Sequence, residues 1–114
     1  MEKLDLKKYG REILLAKNNP KKLDNINITL TGWFCYFSEQ LIELEIGEAK
    51  FWGEHKHLES DKPTSDTTIK ALWRITPMGA DHLRAEMYCK SIEKTMSSLK
   101  SSLRRLEVES RNQA

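Results

Sequence analysis

At 114 residues, 39% hydrophobic and 32% charged with only five glycines and three prolines, the chain has the size of one domain and not the composition of a disordered tail or a glycine-rich sandwich. Its net charge of +2, from 19 basic and 17 acidic side chains, excludes neither a polyanion nor a protein partner. No stretch is apolar enough to span a membrane, and the charged start from Met1 to Gly10 lacks a signal-peptide core, so a cytosolic protein without membrane partners is expected.

Leu4, Leu6, Tyr9, Ile13 and Leu14 allow a short helix from about Asp5 to Lys17. Asn18-Asn19-Pro20 ends it and starts the next. Asn19 can cap, and Pro20 can take the first helical position, where its missing N–H is no loss. Leu23, Ile26, Leu30, Trp33, Phe37, Leu41 and Leu44 then recur by three or four, which predicts one long helix over 20–58. A competing signal lies inside it, because β-branched residues alternate through Asn27-Ile28-Thr29-Leu30-Thr31. A loop to Thr31 followed by a shorter helix is the second reading. Glu48 and His55 lie near the continued stripe, so burial should fade toward that end.

Ser60 to Ser65 reads as a turn. Ser65 can cap a short helix that carries Ile69, Leu72 and Trp73 on one face, within a connection spanning 59–75. Thr76-Pro77 repeats the cap-and-proline device and opens a terminal helix over 76–110, with Ser110 to Ala114 expected to fray. That helix bears the strongest pattern in the chain. Ala85, Ile92, Leu99 and Leu106 form one edge of a heptad seam; Cys89, Met96 and Leu103 form the other.

These elements predict an all-α fold: a single helical domain built as a long antiparallel helical hairpin with two short helices, the first within 1–18. Trp33, Phe34, Tyr36 and Phe37 span more than one helical face. Either the first short helix covers the excess or another subunit does. Together with Met96, Leu99 and Leu103 they are the expected interface of a homo-oligomer.

The charge is uneven. Met1 to Asp24 carries +3, Asn25 to Ser60 carries −4, and Asp61 to Ala114 carries +3. Such a protein can pair end against middle in an assembly, or present local basic patches to a polyanion. Cys35 and Cys89 have no metal spacing and read as small buried hydrophobes in a reducing compartment. Among Glu43, Glu45, Glu48, Glu54, Glu59, His55 and His57 only Glu54 and His57 have the Glu-x-x-His spacing, whereas a bundle metal site draws on two such pairs, so these residues read as a solvated acidic face. His82, following Asp81, reads as a surface or cap-adjacent residue. No catalytic residue, metal site or cofactor is expected.

The basic residues suggest another chemistry. Lys50 and Lys56 stand beside Phe51 and Trp52, Lys70 and Arg74 lie one turn apart, and Arg84 precedes the seam. Cations attract phosphates, and exposed aromatics stack on bases without selecting them. Lys50, Trp52, Lys56, Lys70, Arg74 and Arg84 are therefore the expected DNA-binding set. The plainer alternative makes Trp52 and Trp73 core residues and the lysines a solvated face. Lys100, Arg104, Arg105 and Arg111 near the chain end complement the helix dipole, and Glu107 can pair with Arg104 or Arg111.

A long aromatic and acidic helix (Trp33 to Leu58), a short connection, and the stretch from Ser65 to Gln113 resemble small bacteriophage recombination-mediator proteins. The family is typified by the T-even phage mediator that loads a recombinase onto single-stranded DNA. The resemblance spans roughly two-thirds of the chain and rests on pattern. It implies a non-enzymatic helical protein that forms closed rings and binds single-stranded DNA. It further implies contacts with a recombinase and a single-strand-binding protein, in the cytoplasm of a bacterial host. The family's basic and aromatic segment would fall on Lys50, Phe51, Trp52 and Lys56, diluted here by Glu48, Glu54 and Glu59. A phage-encoded interaction module or host-enzyme inhibitor that binds no nucleic acid fits the same size, charge and helicity.

Overall fold

Local capping chemistry sets where each helix starts. In the computed structural model, which describes residues 1–56 and 64–112, α1 spans Leu6–Leu15, α2 Pro20–His55, α3 Asp66–Ile75 and α4 Pro77–Asn112. Asp5 caps α1 by accepting the Lys8 N–H, and the Asn19 side chain accepts the Lys22 N–H at 3.2 Å. Ser65 caps α3 through the Thr68 N–H at 3.2 Å. Among the described residues there is no strand, and α2 and α4 pack closely. Residues 60–63 of the expected turn from Ser60 to Ser65, and the expected end of the first long helix at His57 and Leu58, lie outside the described residues.

The strand signal at Asn27–Thr31 yields to the helix for a visible reason. The Thr29 and Thr31 hydroxyls donate to the carbonyls of Asn25 and Asn27, at 3.1 and 2.8 Å. Each β-branched threonine is thereby accommodated in helical geometry. α2 and α4 have 36 residues each, about 54 Å of helix apiece at 1.5 Å per residue.

The chain divides into two compact units. One comprises Phe37–Met87 with Met1; the other comprises Glu2–Tyr36 and the chain from Tyr88 onward. In the first, Leu44, Ile69, Trp73 and Ala85 are buried, and Phe37 has no exposed surface. In the second, the core comprises Leu4, Ala16, Leu23, Ile26, Leu30, Cys89, Ile92 and Leu99. Burial along the α4 seam fades toward its end, since Met96, Leu103 and Leu106 are half-buried. Cys35 is exposed, not buried as the sequence suggested, because the stripe through Leu30, Trp33 and Phe37 leaves it on the outer face of α2.

α3 and α4 are joined by one residue. Thr76 is extended (φ −74°, ψ 155°), as the proline after it requires. Its hydroxyl donates to the Trp73 carbonyl at 2.6 Å and accepts the Gly79 N–H at 2.9 Å. One side chain thus closes α3 and opens α4. Gly79 lies directly against the last turn of α3. A Cβ there would overlap the Trp73 carbonyl oxygen and stand 2.9 Å from the Arg74 Cα.

Candidate functional site

Within the Phe37–Met87 unit, three helices surround a cleft of about 280 Å³. α2 contributes Glu45 and Glu48; α3 contributes Lys70, Trp73 and Arg74; α4 contributes Gly79, His82, Leu83 and Glu86. Each set follows steps of three and four, so each helix turns one strip of side chains inward. The charges are sorted by helix. All three carboxylates come from α2 and α4, and both lysine and arginine cations come from α3.

His82 is the enclosed polar group of this cleft, with its side chain 9% exposed. Its Nδ1 lies 3.0 Å from the indole Nε1 of Trp73 and 2.9 Å from Oε2 of Glu48. One ring nitrogen has one in-plane position, so it either accepts from the indole or donates to the carboxylate. The Trp73 indole is buried and has no other acceptor among the described residues, whereas Glu48 is 30% exposed and can turn to water. Stranding a buried donor costs about 1–3 kcal/mol, so we assign Nδ1 as the acceptor of the Trp73 N–H. The neutral ring then carries its proton on Nε2. That nitrogen lies 3.2 Å from Oε1 of Glu86 but out of line for a hydrogen bond, and it has no hydrogen-bond partner among the described residues.

His82 is therefore not the surface residue that its place after Asp81 suggests. The signal was present: one step of three back from Ala85, the first seam residue, lands on 82. A polar residue there does not register as part of an apolar pattern.

The six expected DNA-binding residues all lie in this unit, but their states differ. Lys70 and Arg74 are exposed, line the cleft and have no ion-pair partner among the described residues. Lys50 is exposed and also unpaired among those residues. Lys56 is engaged by Asp66 at 2.6 Å, and Arg84 by Asp81 at 2.9 Å. Both lie apart from the cleft lining. Trp52 is half-buried, with its indole nitrogen enclosed and without a hydrogen-bond partner among the described residues. Phe51 offers no open face for stacking on the side where it lies 3.7 Å, centroid to centroid, from the His55 ring, and it also meets Trp73 at 5.5 Å.

The expected oligomer residues divide as well. Phe37 and Leu99 are fully buried within the single chain and so present no surface to a partner. Trp33 and Tyr36 are half-buried and engaged by the chain's own N-terminal segment: the Trp33 indole donates to the Tyr9 hydroxyl at 3.1 Å, and the Tyr36 hydroxyl accepts the Glu2 N–H at 2.8 Å. Phe34, Met96 and Leu103 remain half-exposed. They meet in one groove of about 520 Å³ in the second unit, with Glu93 and Lys100 on its lining.

No cluster of three or more His, Cys, Asp or Glu side chains suited to a metal ion occurs among the described residues. None of their helices is long and apolar enough to cross a membrane. Comparison with protein-family models, curated proteins and solved structures finds no match.

Proposed function

We propose that this chain is a non-catalytic recombination mediator of the bacteriophage type, which binds single-stranded DNA and helps load a recombinase in the cytoplasm of a bacterial host. In this reading the two long helices form an antiparallel hairpin and copies of the chain assemble into a homo-oligomer. A recombinase and a single-strand-binding protein are the protein partners. The observation that supports it best is the pair Lys70 and Arg74. They stand one turn apart on α3, exposed, unpaired among the described residues and lining the same cleft. Unpaired cations one turn apart suit a phosphate backbone, and repetition around an oligomer would add the weak contacts of each copy. Lys50 adds a third charge that is unpaired among the described residues, whereas Lys56 and Arg84 must first release Asp66 and Asp81.

The test is fluorescence anisotropy of a labelled single strand across a salt series. Wild-type affinity should fall as salt rises. Lys70→Glu with Arg74→Glu should weaken binding and lower the slope of log affinity against log salt by about 1.4, for two phosphate contacts at about 0.7 each. Both residues are exposed, so helicity should be unchanged. A wild-type protein that gives no signal even at low salt sinks the proposal.

A protein-interaction module that binds no nucleic acid is the second reading. Leu14 and Leu15 favour it, lying 75% and 89% exposed at the end of α1. Exposed neighbouring leucines, with an apolar groove in the same unit, are features of a protein-docking surface.

A further inference from the structure

We infer that the groove lined by Phe34, Met96 and Leu103 is covered by the same groove of a second copy, with the two α4 helices crossing antiparallel about a two-fold axis beside Met96 and Ser97. This rests on the homo-oligomer of the reading above, not on its DNA binding, and names the face and the symmetry of the contact. The α4 seam leaves this face open. Its edge at Ala85, Ile92 and Leu99 is buried within the single chain, whereas on the other edge Cys89 is buried and Met96 and Leu103 are only half-buried. With Phe34 of α2 these two form an apolar strip that a lone chain leaves in water.

The charges on the groove lining select the occupant. Glu93 and Lys100 are exposed there and have no ion-pair partner among the described residues. Lys100 has no acidic residue three or four positions away on α4, so its own helix offers it none. The two charges stand seven residues apart, about 10 Å along one strip of the helix. Their midpoint falls between Met96 and Ser97, which line the same groove. A two-fold axis through that point and perpendicular to the helix sets Glu93 against Lys100 of the second copy, and Lys100 against its Glu93. One operation thus makes two opposite-charge pairs around an apolar centre. A two-fold axis along the helix sets Glu93 against Glu93 and Lys100 against Lys100, so the charges fix the antiparallel orientation, as flanking charges do in coiled coils. A foreign partner would have to carry the reversed pattern at the same spacing; the chain itself carries it. Farther along the strip the same axis brings Glu86 toward Glu107. That like pair, Glu86 beside His82 and Glu107 paired with Arg111, ends the contact, so the helices cross over the turns from Glu93 to Leu103 rather than run side by side.

Sedimentation velocity of the full chain over a concentration series reads the contact. The wild type should pass reversibly from the 13.3 kDa chain to even-numbered species, because a two-fold contact joins copies in pairs. Glu93→Lys and Lys100→Glu should each weaken association about ten-fold or more, since each turns two attractions into two repulsions. The two variants change the net charge in opposite directions, so a general charge effect cannot produce both losses. Glu93→Lys combined with Lys100→Glu rebuilds both pairs and should return the association to the wild-type level. Both residues are exposed, and an unchanged circular dichroism spectrum confirms that the fold is intact. A wild type that stays at 13.3 kDa at the highest concentration reached overturns the inference and leaves the groove to a different protein. Association that neither single reversal weakens overturns it too, since the contact then lies on another face. A double reversal as weak as the single ones excludes this register. None of these outcomes touches single-strand binding, which the anisotropy series tests separately.

Discussion

Gly79→Ala is expected to be among the most destabilising single-methyl changes in this chain. In an ordinary helix interior the same change stabilises, because alanine is the better helix former by about 1 kcal/mol. Here the added methyl overlaps the Trp73 carbonyl oxygen, with the carbonyl carbon at 2.5 Å and the Arg74 Cα at 2.9 Å. All three obstacles are backbone atoms, so no side chain can swing away. Relief requires the start of α4 to move off the end of α3. That movement strains the Thr76 hydroxyl bridge, which holds both ends of the junction. Overpacking typically costs about 1–3 kcal/mol, and a backbone obstacle should place this change at or above the top of that range. Gly32→Ala is the control. A Cβ there meets open space, so it should stabilise by about 0.4–1 kcal/mol. Urea denaturation of both variants reads the contrast. A Gly79→Ala midpoint at or above the wild-type value would mean that the corner is not this tight.

Leu99→Ala is the second large effect. Leu99 is 1% exposed and belongs to the buried edge of the α4 seam with Ala85 and Ile92. Removing its side chain loses transfer energy and leaves a cavity that long, closely packed helices cannot easily close, at a cost of about 2–5 kcal/mol. Ser101→Ala, two residues on and exposed, should change stability by less than about 0.5 kcal/mol. Coincident denaturation midpoints for the two variants would contradict the observed register of the seam.

What could be read from the sequence was mostly local. Asn19-Pro20, Ser65 and Thr76-Pro77 mark helix starts because a cap and its N–H partner lie within three residues of each other. The seam was legible because periodicity reports one face of one helix. Properties that depend on a second element were not. Trp33 and Tyr36 are hydrogen-bonded by Tyr9 and Glu2, which lie 24 and 34 residues away in the chain. Asp66 neutralises Lys56 from ten residues on. A count of basic residues cannot distinguish that lysine from Lys70, which is unpaired among the described residues. His82 shows the reverse failure: its seam position was readable, but a titratable side chain there was assigned to water.

The one-residue junction at Thr76 also bears on the order of folding. The hydrogen bond from Trp73 to His82 closes a loop of only nine residues, and the Thr76 bonds close shorter ones. Loops of about ten residues close in roughly 10–100 ns, and contacts between distant residues carry a larger entropy cost before any gain is realised. The corner between α3 and α4 is thus the natural early nucleus, whereas docking of the N-terminal segment on Trp33 and Tyr36 belongs late. Substitutions at Trp73 should therefore slow refolding, and substitutions at Tyr9 should mainly speed unfolding, a difference that stopped-flow kinetics on the two variants would resolve.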